Sequence, residues 1–500
     1  MTDSADVCVV GAGAGGAVLA AELAEGGARV TLLEQGPAHD PDGFTARPPE
    51  MMAKLYRDAG QTATLGSPPI LLPVGRGLGG TTLVNSGTCF RTPAHVLERW
   101  AREFALDLDE ASLAPCFERV ESALSVAEVA PDLAGENAAV ARRGAERLGW
   151  SHGYLRRNAR GCVGSGVCAF GCPTSAKQHT GITYIPRARA AGARIVTGAD
   201  VKRVIVRSGR AVGVEAHVAR RGSVEVRAPV VALACGTIHT PVLLDRSRVP
   251  DPSGERGRNL SLHPATAAFA LMDDVVDMAR GVPQSFFVDE FAREGVMLEG
   301  VAGPPAYAAM ALPLTGERHD AAMANYRHLA QFGLMVSDQS RGRVRTVGRH
   351  PVIRYDLCAA DLARFRAGLG RLRELFEAAG AREVYLPLPA GVEPEHAQPG
   401  DLKLMAFHPL GTARADGRPG HGVTDGRLAV RGVRGLYLAD GSVVPSALGV
   451  NPQLTIMALA TRLADTLLDR SGTPSAPGAR AGTVALANGH LNTKEVLCPS

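Results

Sequence analysis

The sequence lacks the features that mark membrane-spanning, exported and nucleic-acid-binding proteins. No stretch approaches the run of about 18 apolar residues that a membrane-spanning helix needs. Acidic Asp3 and Asp6 stand where an export signal would carry basic residues. The net charge is only +4, and basic residues such as Arg156 and Arg157 are interleaved with neutral ones. We therefore expect a cytoplasmic protein that has neither a nucleic acid nor a membrane as partner.

A disulfide framework is also absent. The nine cysteines are scattered over 500 residues, which indicates a reducing compartment. Apolar residues make up 45% of the chain and charged residues 21%, as is typical of a globular protein with a sizeable core. At this length we expect about two domains.

Strand and helix patterns begin almost at once and indicate an α/β fold. Residues 7–10 read as a buried strand, 16–26 as a helix and 29–34 as a second strand, which makes a βαβ unit. Further strand patterns, which predict a largely parallel sheet assembled from distant segments, lie at 193–196, 201–206, 211–217, 224–234 and 435–439. Longer loops and an amphipathic stretch at 362–379 suggest that residues 261–400 form an inserted domain.

The βαβ unit contains a dinucleotide-binding fingerprint. Its turn is formed by Gly11, Gly13, Ala14, Gly15 and Gly16, where glycines permit the tight turn and a close approach to a pyrophosphate at the helix N-terminus. Glu34 ends the second strand, where a carboxylate can accept hydrogen bonds from ribose hydroxyls. The motif suits FAD or NAD equally, and the alternative is a glycine-rich turn without a ligand.

Three further segments complete a resemblance to the glucose-methanol-choline (GMC) oxidoreductases that extends over nearly the whole chain. The first is Gly-Arg-Gly-Leu-Gly-Gly-Thr-Thr-Leu-Val-Asn at 75–85, and the second is Ala-Cys-Gly-Thr-Ile-His-Thr-Pro-Val-Leu-Leu at 234–244. The third is a C-terminal block that contains Phe-His-Pro-Leu-Gly-Thr at 407–412, Ala-Asp-Gly-Ser at 439–442 and Val-Asn-Pro-Gln-Leu-Thr at 450–455.

The resemblance implies the fold class and the cofactor. We expect an α/β protein with a Rossmann-like FAD-binding domain around a parallel sheet, and an α+β substrate domain with an antiparallel sheet. The FAD-binding domain would comprise 1–260 and 401–470, the substrate domain 261–400, and a mobile tail 471–500. Beyond the fingerprint, the residues expected to contact FAD are Gln35, Arg76, Gly77, Gly79, Gly80, Thr81, Thr82, Val84, Asn85, Val201, Ala234, Gly236, Asp440, Gly441, Asn451, Pro452 and Gln453.

The resemblance also assigns the chemistry. His408 and Asn451 occupy the positions of the family's active-site pair. We expect His408 to take the hydroxyl proton of an alcohol, Asn451 to stabilise the alkoxide, and flavin N5 to accept the hydride. Some members attach FAD through a histidine where this chain has Val84, so we expect non-covalent FAD. A helix beginning at Pro452 would direct its N-terminus towards the flavin.

Other candidate residues have weaker support. We expect structural roles for His239 and His263. Three cysteines, Cys162, Cys168 and Cys172, fall in one glycine-rich loop, but they lack a CxxC pair and a fourth cysteine. An iron-sulfur cluster and a zinc site completed by His179 are the alternatives to the favoured interpretation, free thiols without a metal.

The sequence leaves several functional questions open. The rivals to alcohol oxidation are a lyase that never reduces its FAD, and a flavin subunit of an electron-transfer complex. The oxidant could be O₂ or another acceptor. Apolar residues that hint at a pocket for the alcohol, or equally at a core, are Met297, Leu298, Met310, Leu312, Phe332 and Met335.

Overall fold

A computed structural model describes residues 2–219 and 221–469 of the chain. The predicted tail at 471–500 lies outside these residues. No helix in the described ranges combines the length and the apolar character needed to cross a membrane.

Over these residues the chain forms 12 α-helices and 21 β-strands. The helices are α1 (Ala14–Glu25), α2 (Pro48–Leu55), α3 (Ala94–Phe104), α4 (Glu110–Ala123), α5 (Pro131–Ala134), α6 (Glu136–Leu148), α7 (Tyr184–Ala190), α8 (His239–Arg246), α9 (Pro305–Ala311), α10 (Gly316–Ala324), α11 (Ala359–Ala378) and α12 (Gln453–Leu467). The strands in the first half are β1 (Thr2–Ser4), β2 (Val7–Val10), β3 (Val30–Glu34), β4 (Ile70–Leu71), β5 (Val126–Glu128), β6 (His152–Tyr154), β7 (Arg156–Asn158), β8 (Arg194–Thr197), β9 (Ala199–Arg207), β10 (Arg210–Val218), β11 (Gly222–Arg227) and β12 (Val230–Leu233). Those in the second half are β13 (Ala265–Leu271), β14 (Phe286–Val288), β15 (Val296–Gly300), β16 (Leu329–Val336), β17 (Arg343–Val347), β18 (His350–Arg354), β19 (Glu383–Tyr385), β20 (Leu404–Met405) and β21 (Leu436–Leu438).

A five-stranded parallel sheet forms the half of the fold that contains the predicted βαβ unit. Its order is β21-β12-β2-β3-β8, and all four neighbouring pairs are parallel. The predicted βαβ unit is present as β2, α1 and β3, and these two strands are buried along their whole length. Because helix α1 and strands β9 and β10 pack against this sheet, its strands are buried and read as continuous apolar runs.

The prediction for the strands after residue 200 was partly wrong. β9, β10 and β11 form an antiparallel meander in a separate four-stranded sheet, which β1 joins in parallel to β11. The predicted strand at 224–234 is two strands, because Pro229 interrupts it between β11 and β12. A proline has no N–H to donate to a sheet, so the chain changes sheets at this residue.

The second half is built on an eight-stranded, mostly antiparallel sheet, as the expected fold class requires. Its order is β4-β20-β13-β16-β15-β14-β6, with β19 also paired to β13. Helix α11 covers one face of this sheet, where Phe365, Leu369, Leu372 and Phe376 are buried. Strands β4, β6 and β20 come from outside residues 261–400, so the two halves are interleaved along the chain.

Candidate active site

One cavity of about 1260 Å³ extends from the parallel sheet to the antiparallel sheet. At one end it is lined by the turn after β2 and by the end of β3. At the other end it is lined by β13, β15 and β16 and by residues 407–409. Ligands in open α/β sheets bind beyond the carboxyl ends of the strands, and the first end has this position.

The fingerprint glycines have two distinct roles. A Cβ at Gly11 would lie 2.2 Å from the carbonyl oxygen of Ala234, and one at Gly15 would lie 1.9 Å from that of Ala439. At Gly13 the nearest atom is 4.0 Å away, yet this residue faces the cavity where α1 begins. Packing therefore requires glycine at Gly11 and Gly15, whereas at Gly13 the free space is available to a ligand.

The carboxylate of Glu34 is held by backbone groups at this end of the cavity. Its Oε2 accepts from the Ala12 N–H at 2.9 Å, and its Oε1 accepts from the Gly36 N–H at 2.7 Å. Burial raises the pKa of Glu34, and these two hydrogen bonds oppose the rise. Each oxygen has a further lone pair, so the carboxylate can also accept from a ribose hydroxyl.

Asp440 joins the C-terminal block to the segment after β12. One carboxylate oxygen accepts from the Gly236 N–H at 2.9 Å and from the Thr240 hydroxyl at 2.5 Å, and the other accepts from the Ser442 N–H at 2.8 Å. Burial raises the pKa of Asp440, and these hydrogen bonds oppose that shift. The carboxylate therefore fixes both segments where they line the cavity.

Most of the residues predicted to contact the cofactor line this one cavity. They are Gly11, Gly13, Ala14, Gly15, Glu34, Gln35, Arg76, Gly80, Thr81, Thr82, Val84, Asn85, Val201, Ala234, Gly236, Asp440, Gly441, Asn451, Pro452 and Gln453. Gly16, Gly77 and Gly79 are not in its wall. A Cβ at Gly16 would meet the carbonyl oxygen of Gly11 at 2.0 Å, so this glycine serves the packing of the turn.

His408 and Asn451 are in contact at the far end of the cavity. The Asn451 side-chain nitrogen Nδ2 lies 3.2 Å from Nε2 of His408, and both residues line the cavity. Burial, with a smaller contribution from the neighbouring His263, lowers the pKa of His408 to about 3. The imidazole is therefore neutral at physiological pH, and its ring carries a free lone pair.

His263 positions the loop that carries Asn451. Its Nε2 accepts from the backbone N–H groups of Leu448 at 2.8 Å and Gly449 at 3.1 Å. Its ring centroid is 5.7 Å from that of His408 in an edge-to-face arrangement. Burial lowers the pKa of His263 to about 3. His263 was expected to have a structural role, and its contacts hold the loop next to the candidate catalytic pair, His408 and Asn451. His239, for which a structural role was also predicted, lines the cavity at the start of α8.

Helix α12 begins at Gln453, one residue later than predicted and two residues after Asn451. Pro452 is its N-cap, and no side chain caps its first N–H groups. Gln453 lines the cavity and accepts a hydrogen bond from Asn85 at 2.5 Å. The partial positive charge of this helix N-terminus is directed at the cavity wall, where it favours negative charge on a ligand.

Lys177 ties the cysteine loop to the segment 83–85. Its Nζ donates to the carbonyl oxygens of Leu83 at 2.8 Å, Asn85 at 2.6 Å and Cys168 at 2.9 Å. Burial lowers the pKa of Lys177 to about 8. Within the described ranges, no three histidine, cysteine, aspartate or glutamate side chains are grouped so that they could hold a metal ion.

The sequence interpretation missed three polar residues at the antiparallel end. Glu299 and Gln331 are buried, and both line the cavity together with Gln284. The sequence did contain a signal for two of them, because Glu299 and Gln331 are polar residues inside the otherwise apolar strands β15 and β16. Of the six apolar residues that suggested a pocket, Met310 and Met335 line the cavity, whereas Met297, Leu298, Leu312 and Phe332 do not.

The cavity has the features that FAD requires. An uncapped helix N-terminus and the open space at Gly13 suit a pyrophosphate, and Glu34 suits a ribose. The cavity then continues without a break to His408 and Asn451.

Comparisons with known proteins agree with this assignment. Family models described as GMC oxidoreductase match residues 52–265 and 338–460, and a model of an NAD(P)-binding Rossmann-like domain matches 9–41. An uncharacterised GMC-type oxidoreductase of Mycobacterium tuberculosis is 41% identical over 92% of this chain and 75% of its own length. Another, from Sinorhizobium fredii, is 32% identical over 95% of this chain and 97% of its own length.

More distant proteins extend the likeness to named enzymes. A long-chain-alcohol oxidase of Arabidopsis thaliana is 27% identical over 91% of this chain and 65% of its own length. The crystal structure of pyridoxine 4-oxidase from Mesorbium loti has the same fold, with a TM-score of 0.73 and 20% identity over 92% of this chain and 98% of that one. Taken with the cavity and its motifs, the comparisons establish that the chain belongs to the GMC oxidoreductase family and is an FAD-binding oxidoreductase.

Proposed function

We propose that this protein oxidises an alcohol to a carbonyl compound, with His408 as the group that removes the hydroxyl proton. The observation that carries the proposal is the contact between His408 and Asn451, 3.2 Å apart in the wall of the cavity that continues from the nucleotide site. Long-chain-alcohol oxidases among the relatives support an alcohol as the substrate class.

The proton step follows from the state of His408. A low pKa keeps the imidazole unprotonated, so its lone pair is available to the substrate hydroxyl. The Asn451 amide donates a hydrogen bond and so stabilises the oxygen as negative charge develops on it. Backbone N–H groups bonded to His263 hold the preceding loop, which fixes the distance between the two side chains.

FAD bound in this cavity would supply the hydride acceptor for the carbinol carbon. The chain would hold it through the fingerprint turn, the segment 75–85 and the N-terminus of α12. We propose non-covalent binding, since Val84 lines the cavity where some relatives have a linking histidine and an alkyl side chain cannot form that bond. Acid precipitation should release all the yellow colour into the supernatant, and colour that stays with the pellet would refute non-covalent binding.

The proposal also assigns FAD binding and substrate binding to different parts of the chain. Residues 1–260 and 401–470 would bind FAD, and 261–400 would supply most of the substrate pocket. The interleaved strands β4, β6 and β20 support a fixed relation between the two parts, because they connect the antiparallel sheet to segments on either side of 261–400.

The test is anaerobic bleaching of the flavin by alcohols. Purified protein reconstituted with FAD should lose its yellow colour when the right alcohol is added, because the flavin is reduced. His408→Ala should retain FAD but lose the rate of bleaching by several orders of magnitude. Near-normal bleaching in that variant would remove His408 from the mechanism.

The same assay separates the rival functions. A lyase would convert a hydroxy compound without bleaching its flavin, so substrate loss with unchanged colour would refute alcohol oxidation. Iron analysis of the purified protein tests the electron-transfer alternative. We propose O₂ or another small acceptor as the oxidant, and oxygen consumption during turnover distinguishes these two.

A further inference from the structure

Two polar side chains interrupt the cavity face of the antiparallel sheet. Glu299 lies on β15 and Gln331 on β16, and they are 5% and 1% exposed. Their neighbours on this face of the sheet include Ala265, Ala267 and Met335, which also line the cavity. The face is therefore apolar except at Glu299 and Gln331.

The strand register brings these two residues together. Glu299 is paired directly with Gly333, and Gln331 lies two residues before Gly333 on the same strand. Residues two apart on a strand point to the same face, so Gln331 is the diagonal neighbour of Glu299. Gly333 lines the cavity between them and contributes no side chain there.

Part of this polar pair is tied down by the protein. Glu299 Oε2 accepts a hydrogen bond of 2.7 Å from Gln284 Nε2, and Gln284 Oε1 accepts one of 2.8 Å from the Thr88 hydroxyl. The chain thus orients the Glu299 carboxyl through a relay of neutral groups. Neither Gln284 nor Thr88 bonds to the second oxygen of Glu299, Oε1.

The remaining polar atoms are buried and make no direct hydrogen bond with good geometry in the protein. They are Oε1 of Glu299 and both Oε1 and Nε2 of Gln331. Tyr307 also lines the cavity, where burial raises the pKa of its hydroxyl and the nearby Gln331 carboxamide opposes that rise. Asn451 Oδ1 is in the same condition, and the Asn451 side chain is close enough to Glu299 to affect its pKa. The unpartnered atoms therefore adjoin the catalytic pair proposed above.

An unpaired buried donor or acceptor costs about 1 to 3 kcal/mol, so a cavity wall with three of them is poorly suited to an alkyl chain. We propose that Glu299 and Gln331 bind a second hydroxyl group of the substrate, which makes the substrate a diol or another hydroxyl-substituted alcohol. This inference rests on the proposed alcohol oxidation and adds the substrate class to it.

A hydroxyl fits the free atoms better than other polar groups do. It donates one hydrogen bond and accepts others, which matches the acceptor on Glu299 and the donor on Gln331. Burial raises the pKa of Glu299 to about 7, so carboxyl and carboxylate forms are both populated near neutral pH. A hydroxyl pairs with either form, whereas an anionic substituent would be repelled by the carboxylate.

The first experiment compares matched pairs of substrates on the FAD-loaded full chain. Each pair consists of a primary alcohol and the diol of the same carbon number, with hydroxyl spacings from 1,2 to 1,6, and the rate of anaerobic flavin bleaching is measured against concentration. We expect at least one diol to exceed its mono-alcohol by about tenfold or more in the second-order rate constant of flavin reduction, taken from the initial slope of rate against concentration. Equal values for every pair would overturn the proposal.

Variants assign the preference to these residues. Gln331→Met replaces the carboxamide with an apolar side chain of similar length, and it should bring the diol to mono-alcohol ratio close to one. Gln339→Met makes the same change at an exposed position outside the cavity wall and should keep the wild-type ratio. Glu299→Gln retains the shape of the side chain and should lower the ratio by less than Gln331→Met. A full diol preference in Gln331→Met would overturn the assignment.

Binding can be tested without turnover, which separates this proposal from the proposed function. Calorimetric titration of FAD-loaded His408→Ala with the diol and the mono-alcohol should show tighter binding of the diol, by about tenfold. If no alcohol bleaches the wild type but the diol still binds tighter, the second-hydroxyl site stands and the oxidation fails. If alcohols bleach the wild type but His408→Ala binds both ligands equally, the second-hydroxyl site fails and the oxidation stands.

Discussion

Burial of His408 leads to a specific expectation for the pH dependence of flavin reduction. The pKa of His408 is lowered to about 3, first by burial and then by repulsion from His263. A solvent-exposed histidine titrates at about 6.5 and would be inactive as a base when protonated in mild acid. The rate of proton removal should therefore not fall as the pH drops from 8 to 5.

The size of the effect distinguishes the two cases clearly. At pH 5 a histidine with a pKa of about 6.5 is only about 3% neutral, whereas one with a pKa of about 3 is about 99% neutral. An ordinary base would thus lose about 30-fold in rate between pH 8 and pH 5, since only the neutral form accepts a proton. For this site we expect the titration of His408 to change the rate by less than about twofold between pH 8 and pH 5.

The assay is stopped-flow flavin reduction without oxygen, at saturating alcohol, from pH 5 to pH 8. Glu299 also titrates in this range, because burial raises its pKa to about 7. The profile is therefore measured in Glu299→Gln as well, which removes that titration and leaves His408 in place. A fall of about 30-fold with a midpoint near pH 6.5 in both proteins would show that His408 is exposed to solvent or is not the base.

Further predictions concern the loop, the cofactor site and the cysteine segment. Asn451→Ala should slow anaerobic flavin reduction by about 100-fold, and an unchanged rate would exclude stabilisation of the alkoxide by this amide. Gly13→Val should abolish FAD binding, measured by flavin content after gel filtration, because its side chain would occupy the space left beside α1; Gly370→Val, whose Cβ also meets no atom within 4 Å, should retain the flavin. Lys177→Met should lower the free energy of unfolding by at least about 2 kcal/mol, since three buried carbonyls lose their donor; chemical denaturation measures this, and a stability equal to wild type would contradict it.

The nucleotide-binding half was the most predictable part of the fold. The strand, the glycine turn, the helix and the second strand are contiguous, and each has a local pattern that can be read directly from the residues. The remainder of the half was harder, because the pattern of a strand does not say which sheet it joins. The residues of β9 and β10 read as ordinary strands, and only their antiparallel pairing assigns them to a separate sheet.

The sequence by itself determined the βαβ unit around Gly13 and, through the resemblance of its motifs, the pairing of His408 with Asn451. Only the tertiary structure decided that His263 holds the loop that leads to Asn451, that Lys177 joins two loops, and that Glu299 and Gln331 share one face of a sheet. The physical reason is that local patterns follow from the backbone geometry of a few consecutive residues. Contacts between residues far apart in the chain follow from register and packing, which depend on all the strands together.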